Sequence, residues 1–261
     1  MQGRKRLAYW LVAFVLIAAN VVVAQEQDEN DPAKALALVR AAIQARGGDA
    51  YLKARQTVTR GQYTGYEKGV SGNPVAFVDY IAPNRERTEF GKGDYKYVQA
   101  NSEAANWIYD AKAKQIKDQT DDQVKNFKQG ARYDLDNLLR AANSQQGVKL
   151  AYLGRREPWR STFSEAVRVE YADGGAATIH FDTRSHLPLS VEYQTVTEKG
   201  AAKSETRYFR WVDFGGIQYP TIQDFFLDGV QSARVSFDDV NLNANIPDKL
   251  FAKPSSIKEV K

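Results

Sequence analysis

Residues 163–193 read FSEAVRVEYADGGAATIHFDTRSHLPLSVEY. Apolar side chains recur at every second position. Val167, Val169 and Tyr171 alternate with Arg168 and Glu170, Ile179 and Phe181 flank His180, and Leu189, Val191 and Tyr193 form one stripe. Period two is the pleat of a strand with one dry face and one wet face. The runs are separated by ADGG and DTRSH, which are short turn segments suited to hairpins. A parallel crossover needs a dozen or more residues, so the three strands are antiparallel neighbours.

The same texture extends in both directions. Strands are predicted over 149–155, 204–214, 218–227 and 230–240, and, before a break, over 57–66, 75–82, 85–90, 95–100 and 105–110. In the last strand Val235 and Phe237 alternate with Arg234, Ser236 and Asp238. The sum is about eleven or twelve consecutive antiparallel strands, and an open twisted sheet of that size curls. The fold class is mainly β with short helices. The helical material is modest. Asp31 caps a helix with Pro32 at its first position, Leu36, Val39, Ala42 and Ile43 mark its apolar stripe, and Gly47-Gly48 ends it. In the break, Val124 and Phe127, then Leu135, Leu138, Leu139 and Ala142, stand at helical spacing, which predicts two amphipathic helices jointed near Gly130. A one-sided sheet must cover its dry face. Either aromatic side chains fill the interior, or the curl leaves a cavity for an apolar ligand.

The first 24 of the 261 residues are expected to be an export signal. Arg4, Lys5 and Arg6 precede an uncharged run over 7–23 and a cleavage site at Val22-Val23-Ala24. Retention of this segment as an inner-membrane anchor facing the periplasm is the alternative. No cysteine follows, so neither a lipid-modified cysteine nor a disulfide framework is available. The 36 basic residues exceed the 32 acidic ones mainly through that basic leader. Without it the remaining 25–261, read as a single domain, are close to neutral, and nothing there asks for nucleic acid.

Residue types for catalysis are sparse. His180 and His186 flank a turn with Asp182 between them, fewer well-spaced ligands than a zinc site needs. Asp238 and Asp239 point to opposite faces of a strand, and Asp121-Asp122 suits a helix start. Glycine pairs at 47–48, 174–175 and 215–216 are turn chemistry, without a phosphate-binding pattern. No catalytic residue, metal ligand or cofactor is expected. Trp107 and Trp211 lie in strands, and Trp159 lies in the loop EPWR, where it could contact a partner.

Several phrases, in order, resemble the LolA-like group of periplasmic carriers. GGDAYLKARQTVTRGQY (47–63) looks like the family's opening helix and first strand, DYIAPNRERTEF (79–90) like its strand–Pro-Asn–strand corner, and NWIYD (106–110) like the aromatic strand before its helical insert. HFDTRSHLPLSVEY (180–193), FGGIQYPTIQDFFLDG (214–229) and NANIPDKLFAKP (243–254) are similar to its later hairpins and terminal hook. The resemblance covers nearly the whole of 25–261. It implies an incomplete antiparallel β-barrel with a helical lid, at about 120–145, over a concave apolar face. Phe251 is then expected to plug one end of the half-barrel. The well-known sorting carriers carry a basic lid-controlling residue just before the Pro-Asn corner; here that position is Ala82.

The function implied is that of a non-enzymatic periplasmic carrier of acylated or lipidic cargo, such as lipids or outer-membrane lipoproteins. Its partners would be donor and acceptor proteins at the inner and outer membranes. Phe77, Trp107 and Tyr109 are the candidate lipid-binding wall, and Phe127, Leu135, Leu138 and Leu139 the candidate lid contacts. A regulatory envelope-stress sensor of the same fold, tethered by an uncleaved leader, is the alternative.

Overall fold

The computed structural model describes residues 29–197 and 200–260; the expected leader and its cleavage site lie outside them. Asp31 caps the first helix, α1 (Pro32–Ala45), by accepting from the amides of Ala33 at 2.8 Å and Lys34 at 3.2 Å. A short helix, α2 (Asp49–Lys53), follows the glycine pair. The strands are β1 (Thr57–Glu67), β2 (Val70–Ser71), β3 (Val75–Ala82), β4 (Arg85–Phe90), β5 (Tyr97–Asn101), β6 (Asn106–Asp110) and β7 (Gln115–Asp118), then, after two helices, β8 (Val148–Trp159), β9 (Thr162–Tyr171), β10 (Ala176–Asp182), β11 (Pro188–Thr197), β12 (Gly200–Asp213), β13 (Gln218–Leu227) and β14 (Val230–Asn241). The intervening helices are α3 (Asp121–Arg132) and α4 (Leu135–Ser144). All the expected strands form. The short β2 and β7 carry too few residues to show a period.

One unclosed antiparallel sheet results, in the order β7-β6-β5-β4-β3-β1-β14-β13-β12-β11-β10-β9-β8, with β2 alongside β1. It is two meanders joined where the last strand meets the first. β8 and β7 are its free edges, so the barrel is incomplete. Among the described residues no helix is long and apolar enough to cross a membrane.

The two faces are covered by different parts of the chain. On one face, Leu150, Tyr152, Val167, Val169, Ala177, Ile179, Phe181 and Val191 pack against Leu38, Val39, Ala42 and Ile43 of α1 and Leu135, Leu138, Leu139 and Ala142 of α4. This is the main core, and it fills the β8–β11 half. On the opposite face the chain after β14 covers the other half. Ile246 and Phe251 pack on Val58 and Ala82, and Val260 reaches the cluster of Val98, Ala100 and Trp107. Phe251 therefore lies against the outer face rather than plugging an end of the barrel. Its carbonyl accepts from Trp107 Nε1 at 3.0 Å. The turn Asp248–Leu250 holds it there, beyond the end of β14 at Asn241.

The joint between α3 and α4 falls at Tyr133 and Asp134, not near Gly130. Asp134 caps α4 by accepting from the amides of Asp136 and Asn137, whereas Gly130 sits inside α3. An exposed helical glycine is tolerated, because a single residue lowers helix propensity by only about 1 kcal/mol.

Two substitutions test this packing in opposite directions. A Cβ at Gly130 would meet nothing, so Gly130→Ala should stabilise the protein by about 0.5–1 kcal/mol in urea unfolding. A Cβ at Gly61 would run into the Ser236 carbonyl of β14, where the β1–β14 register shifts, so Gly61→Ala should cost about 2 kcal/mol or more. A neutral Gly61→Ala would mean that the seam between the meanders is looser than described.

Candidate functional site

The helix-bearing face of the β1, β3–β6 half is the region that α1 and α4 leave uncovered. Register sets its composition. The pairs Thr59–Asp79 and Asp79–Thr88 place these three side chains in one row, Gly61–Phe77–Phe90 form the next, and Ile81–Glu86–Asn101 lie on the other side. Tyr63 meets Phe90 edge-on at 5.6 Å, and Phe77 meets Phe237 at 5.9 Å, so an aromatic patch adjoins a carboxylate patch. Tyr63, Asp79, Glu86, Thr88, Phe90 and Phe237 are all half-buried.

At the border between the filled and open halves stands a buried cation. Arg46, at the C-cap of α1, is 1% exposed. It continues the buried stripe of Ala35, Val39 and Ala42, so the helix drives its guanidinium into the core. There it pairs with Asp136 of α4, lies over the Tyr51 ring at 4.2 Å and the Trp211 ring at 5.3 Å, and donates to the Gln218 carbonyl at 3.4 Å. Tyr51 also donates to Asp136, at 3.0 Å. Arg140 of α4 donates to the carbonyls of Tyr51, Leu52 and Ala54 at 2.7–3.0 Å. Burial alone would lower the Arg46 pKa, but the charges of Asp136 and Tyr51 more than offset it and raise it. For Asp136 burial works upward, and Arg46 still holds the carboxyl below its ordinary value. These bonds lock α4 to α1 and α2.

Asp134 behaves differently. Its side chain is exposed, yet burial and then the charge of Asp136 push its carboxyl up to about 7. Glu86 on β4 is close enough to add to the shift. Burial also raises Asp79 and Glu86, and for Asp79 the charge of Glu86 adds to the effect. The start of α4 and the β3–β4 pair therefore bring three carboxyls, Asp134, Asp79 and Glu86, within each other's electrostatic reach. This differs from the wholly apolar interior expected.

α3 spans the open half, from the end of β7 to the tops of β9 and β11. A capping box at Thr120 and Gln123 starts it. At its far end Gln129 accepts from Thr195 at 2.9 Å, and Arg132 forks onto Asp173 at 2.6 and 2.7 Å. Tyr133 then stacks on Tyr193 at 4.4 Å. No α3 residue is buried, and Val124 and Phe127 stay half-exposed outside the main core.

The sequence-predicted residues therefore divide. Phe77 is on the open helix-bearing face and Phe127 is on the spanning helix. Leu135, Leu138 and Leu139 are inside the main core. Trp107 and Tyr109 are on the opposite face under the C-terminal chain, which corrects their placement on an inward wall. Arg87, which follows the Pro-Asn corner, is on that opposite face as well, donating to the Leu250 carbonyl at 2.9 Å, while Arg85 pairs with Asp248 at 2.8 Å. Trp159 packs beside Phe209 at 6.3 Å and under the Arg207 guanidinium. His180 is buried, 3.0 Å from Ser164 Oγ, and among the described residues no group of three His, Asp or Glu side chains is placed to hold a metal ion. Hollows of about 320 and 390 Å³ are lined by Glu29, Lys34, Tyr152 and Glu165, and by Pro83, Arg85, Glu103 and Phe251; neither includes a residue of α3 or α4. Arg46 and the Asp79–Glu86 pair were missed. The available signal was a charged residue in phase with an apolar stripe.

Removing the Arg46 partner with Asp136→Asn should cost about 3 kcal/mol in urea unfolding, because it leaves a buried guanidinium uncompensated. A cost below about 1 kcal/mol would contradict the lock. Asp134 titrates at about 7 when folded against an ordinary 3.8, so the folded state holds the extra proton. Its contribution to stability is complete below pH 4 and is lost as pH rises through 7. Unfolding free energy should therefore fall between about pH 4 and 7 and level off above, and Asp134→Asn should flatten the slope.

No family model matches the chain, and no curated protein matches it. Solved structures do. A DUF1329 family protein from Desulfovibrio piger superposes with a TM-score of 0.57 at 12% identity, over 85% of this chain and 98% of its own. A LolA superfamily protein from Nitrosomonas europaea gives 0.54 at 13%, over 84% and 97%. A domain from Vibrio parahaemolyticus described as outer-membrane lipoprotein-sorting gives 0.53 at 10%, over 85% and 98%. At these identities the likeness concerns architecture, and the fold of this chain is LolA-like.

Proposed function

We propose that the protein is a non-enzymatic carrier that holds the apolar part of a lipid or acylated lipoprotein on the open half of its helix-bearing face, under α3. The observation that carries this reading is the division of that face. α1 and α4 fill one half with a packed core. The other half keeps Tyr63 and Phe90 only half-buried beside Phe77, beneath an amphipathic helix that buries none of its own side chains. An apolar stripe without a partner is unfavourable in water, and cargo would supply the partner. About a dozen acyl methylenes at ~0.8 kcal/mol each give roughly 10 kcal/mol before ordering costs. α3 would lift to admit them, since its C-terminal attachments are hydrogen bonds and a surface ion pair rather than core packing. The LolA-like fold supports the reading, and so does the leader expected from the sequence. On this reading the exchange takes place in the periplasm, between donor and acceptor proteins of the inner and outer membranes.

Titration with a fluorescent fatty acid tests the proposal. The protein should bind it with saturable enhancement, and Phe90→Glu and Phe127→Glu should each weaken binding about tenfold, the effect of losing ~1.4 kcal/mol of apolar contact. Absence of uptake by the unaltered protein, together with no co-purifying lipid in native mass spectrometry, would refute it.

A further inference from the structure

We propose that one end of the sheet docks onto a lipid bilayer through the apolar tips of four neighbouring hairpins. The inference concerns how the protein meets a membrane surface, and it stands whatever the open half holds. Strand order fixes the geometry. The connections β4–β5, β1–β3 (through β2), β13–β14 and β11–β12 all fall at the same end of the sheet. In the order β5-β4-β3-β1-β14-β13-β12-β11 they follow one another along one rim.

The two ends of the sheet differ in what they expose. Val70 is 71% exposed, Tyr95 83% and Val196 72%, and Val75, Leu227 and Val230 are exposed beside them. Val70 is on β2 and Val75 opens β3, Tyr95 is in the turn before β5, Val196 is the penultimate residue of β11, and Leu227 and Val230 flank the β13–β14 turn. Every one of the four connections at this rim therefore presents an apolar side chain to solvent. Among the described residues the other large apolar side chains as exposed as these are Phe163 and Val212, at the opposite end, and Ile257, in the chain after β14. Turns at that opposite end read Pro83-Asn84, SEAA over 102–105 and TRSH over 183–186. Exposed apolar side chains gathered on one side of a protein mark a surface that meets another apolar phase.

The spacing of the tips favours a bilayer over a folded partner. The apolar side chains come one or two per turn, separated by polar turn residues such as Lys68-Gly69, Lys92-Gly93 and Asp228-Gly229. A folded partner would need a matching hole for each tip. The boundary between head groups and acyl chains accepts each tip on its own. Tyr95 suits that boundary, with an apolar ring and a hydroxyl that stays wet. Charge points the same way. Lys68, Lys92, Lys112 and Lys114 are exposed at this end, and the described ion pairs of the lysines, those of Lys96, Lys203 and Lys253, include none of them. The acids there are partly engaged: Asp173 holds Arg132, and Asp110 and Asp228 accept from the amides of Ala113 and Lys203. Glu67 and Asp94 are left exposed against four lysines. The surplus of free cations is complementary to anionic lipid, and a lysine can bury its stem while its head stays among phosphates. The same rim adjoins the aromatic patch of the open half, since Phe90 is the last residue of β4 and Tyr63 pairs with Val75.

The chain has no cysteine, so a single introduced cysteine carries one environment-sensitive dye. The test uses the full chain with vesicles of phosphatidylethanolamine and phosphatidylglycerol. Dyes on Val70→Cys and Val230→Cys should brighten and shift to the blue when vesicles are added, and dyes on Phe163→Cys and Val212→Cys should not. An uncleaved leader would bring all four labels to the vesicle alike, so only docking by the rim separates them. Adding Val70→Ser, Tyr95→Ser and Leu227→Ser to Val230→Cys should remove most of its response. Adding Lys68→Glu and Lys92→Glu should weaken it, as should vesicles of phosphatidylcholine alone. All these positions are exposed, and a melting curve checks that each variant folds. Equal responses at the two ends, no response at the rim, or a rim response that survives the three serines would each overturn the inference. A rim response that grows with protein concentration in the absence of vesicles would also overturn it, and would assign the rim to a second copy of the chain. Fatty-acid titration of the same variants reports on the carrier reading separately.

Discussion

A guanidinium that is almost fully removed from water must have its charge answered on the spot, and in this protein the arrangement of the helices follows from how Arg46 is answered. Desolvating an isolated ion costs several kcal/mol, and the penalty is offset only by close, well-oriented partners. Asp136 comes from α4, Tyr51 from α2, Trp211 from β12 and the Gln218 carbonyl from β13. Four separate segments therefore converge on one side chain of α1. Once they do, α1 and α4 are committed to the β8–β11 half of the sheet, and their apolar stripes are consumed there. The remaining half of that face has only α3 above it.

The two halves then obey different physics. The filled half is an ordinary close-packed interior in which Leu138, Leu139, Val167 and Ile179 are out of contact with solvent. The open half mixes rings and carboxylates on adjacent rows, and its carboxyls feel enough burial to be reluctant to ionise. Such a surface is poorly satisfied both by water and by the rest of the chain. The carrier reading rests on that premise.

Much of the architecture was legible in the sequence because alternation reports strand parity directly. The stripes Val167–Val169–Tyr171 and Ile179–Phe181 led to β9 and β10 and to an unclosed antiparallel sheet. Parity alone does not say which of two covered faces is the interior. Trp107 and Tyr109 alternate as cleanly as Phe77 does, yet the chain around Ile246, Phe251 and Val260 covers them from the other side. That contact spans about 140 residues of sequence separation, and nothing local announces it. The helix joint was misplaced for a related reason. Glycine signals permission to break, whereas the break came where Asp134 could cap a new first turn. The polar half of the site was hidden because Asp79 and Glu86 look like solvent-facing residues until register sets them beside the buried Thr59 and Asn101.

On the carrier reading, an apolar ligand sits on the open half of the helix-bearing face. Backbone and methyl NMR of the protein with and without bound dodecanol tests it most directly. The prediction is that shifts concentrate at Tyr63, Phe77, Phe90 and along α3, while Leu138, Leu139 and the chain over Trp107 stay unchanged. Perturbation centred on Trp107, Ile246 and Phe251 instead would place the ligand on the opposite face and contradict the account.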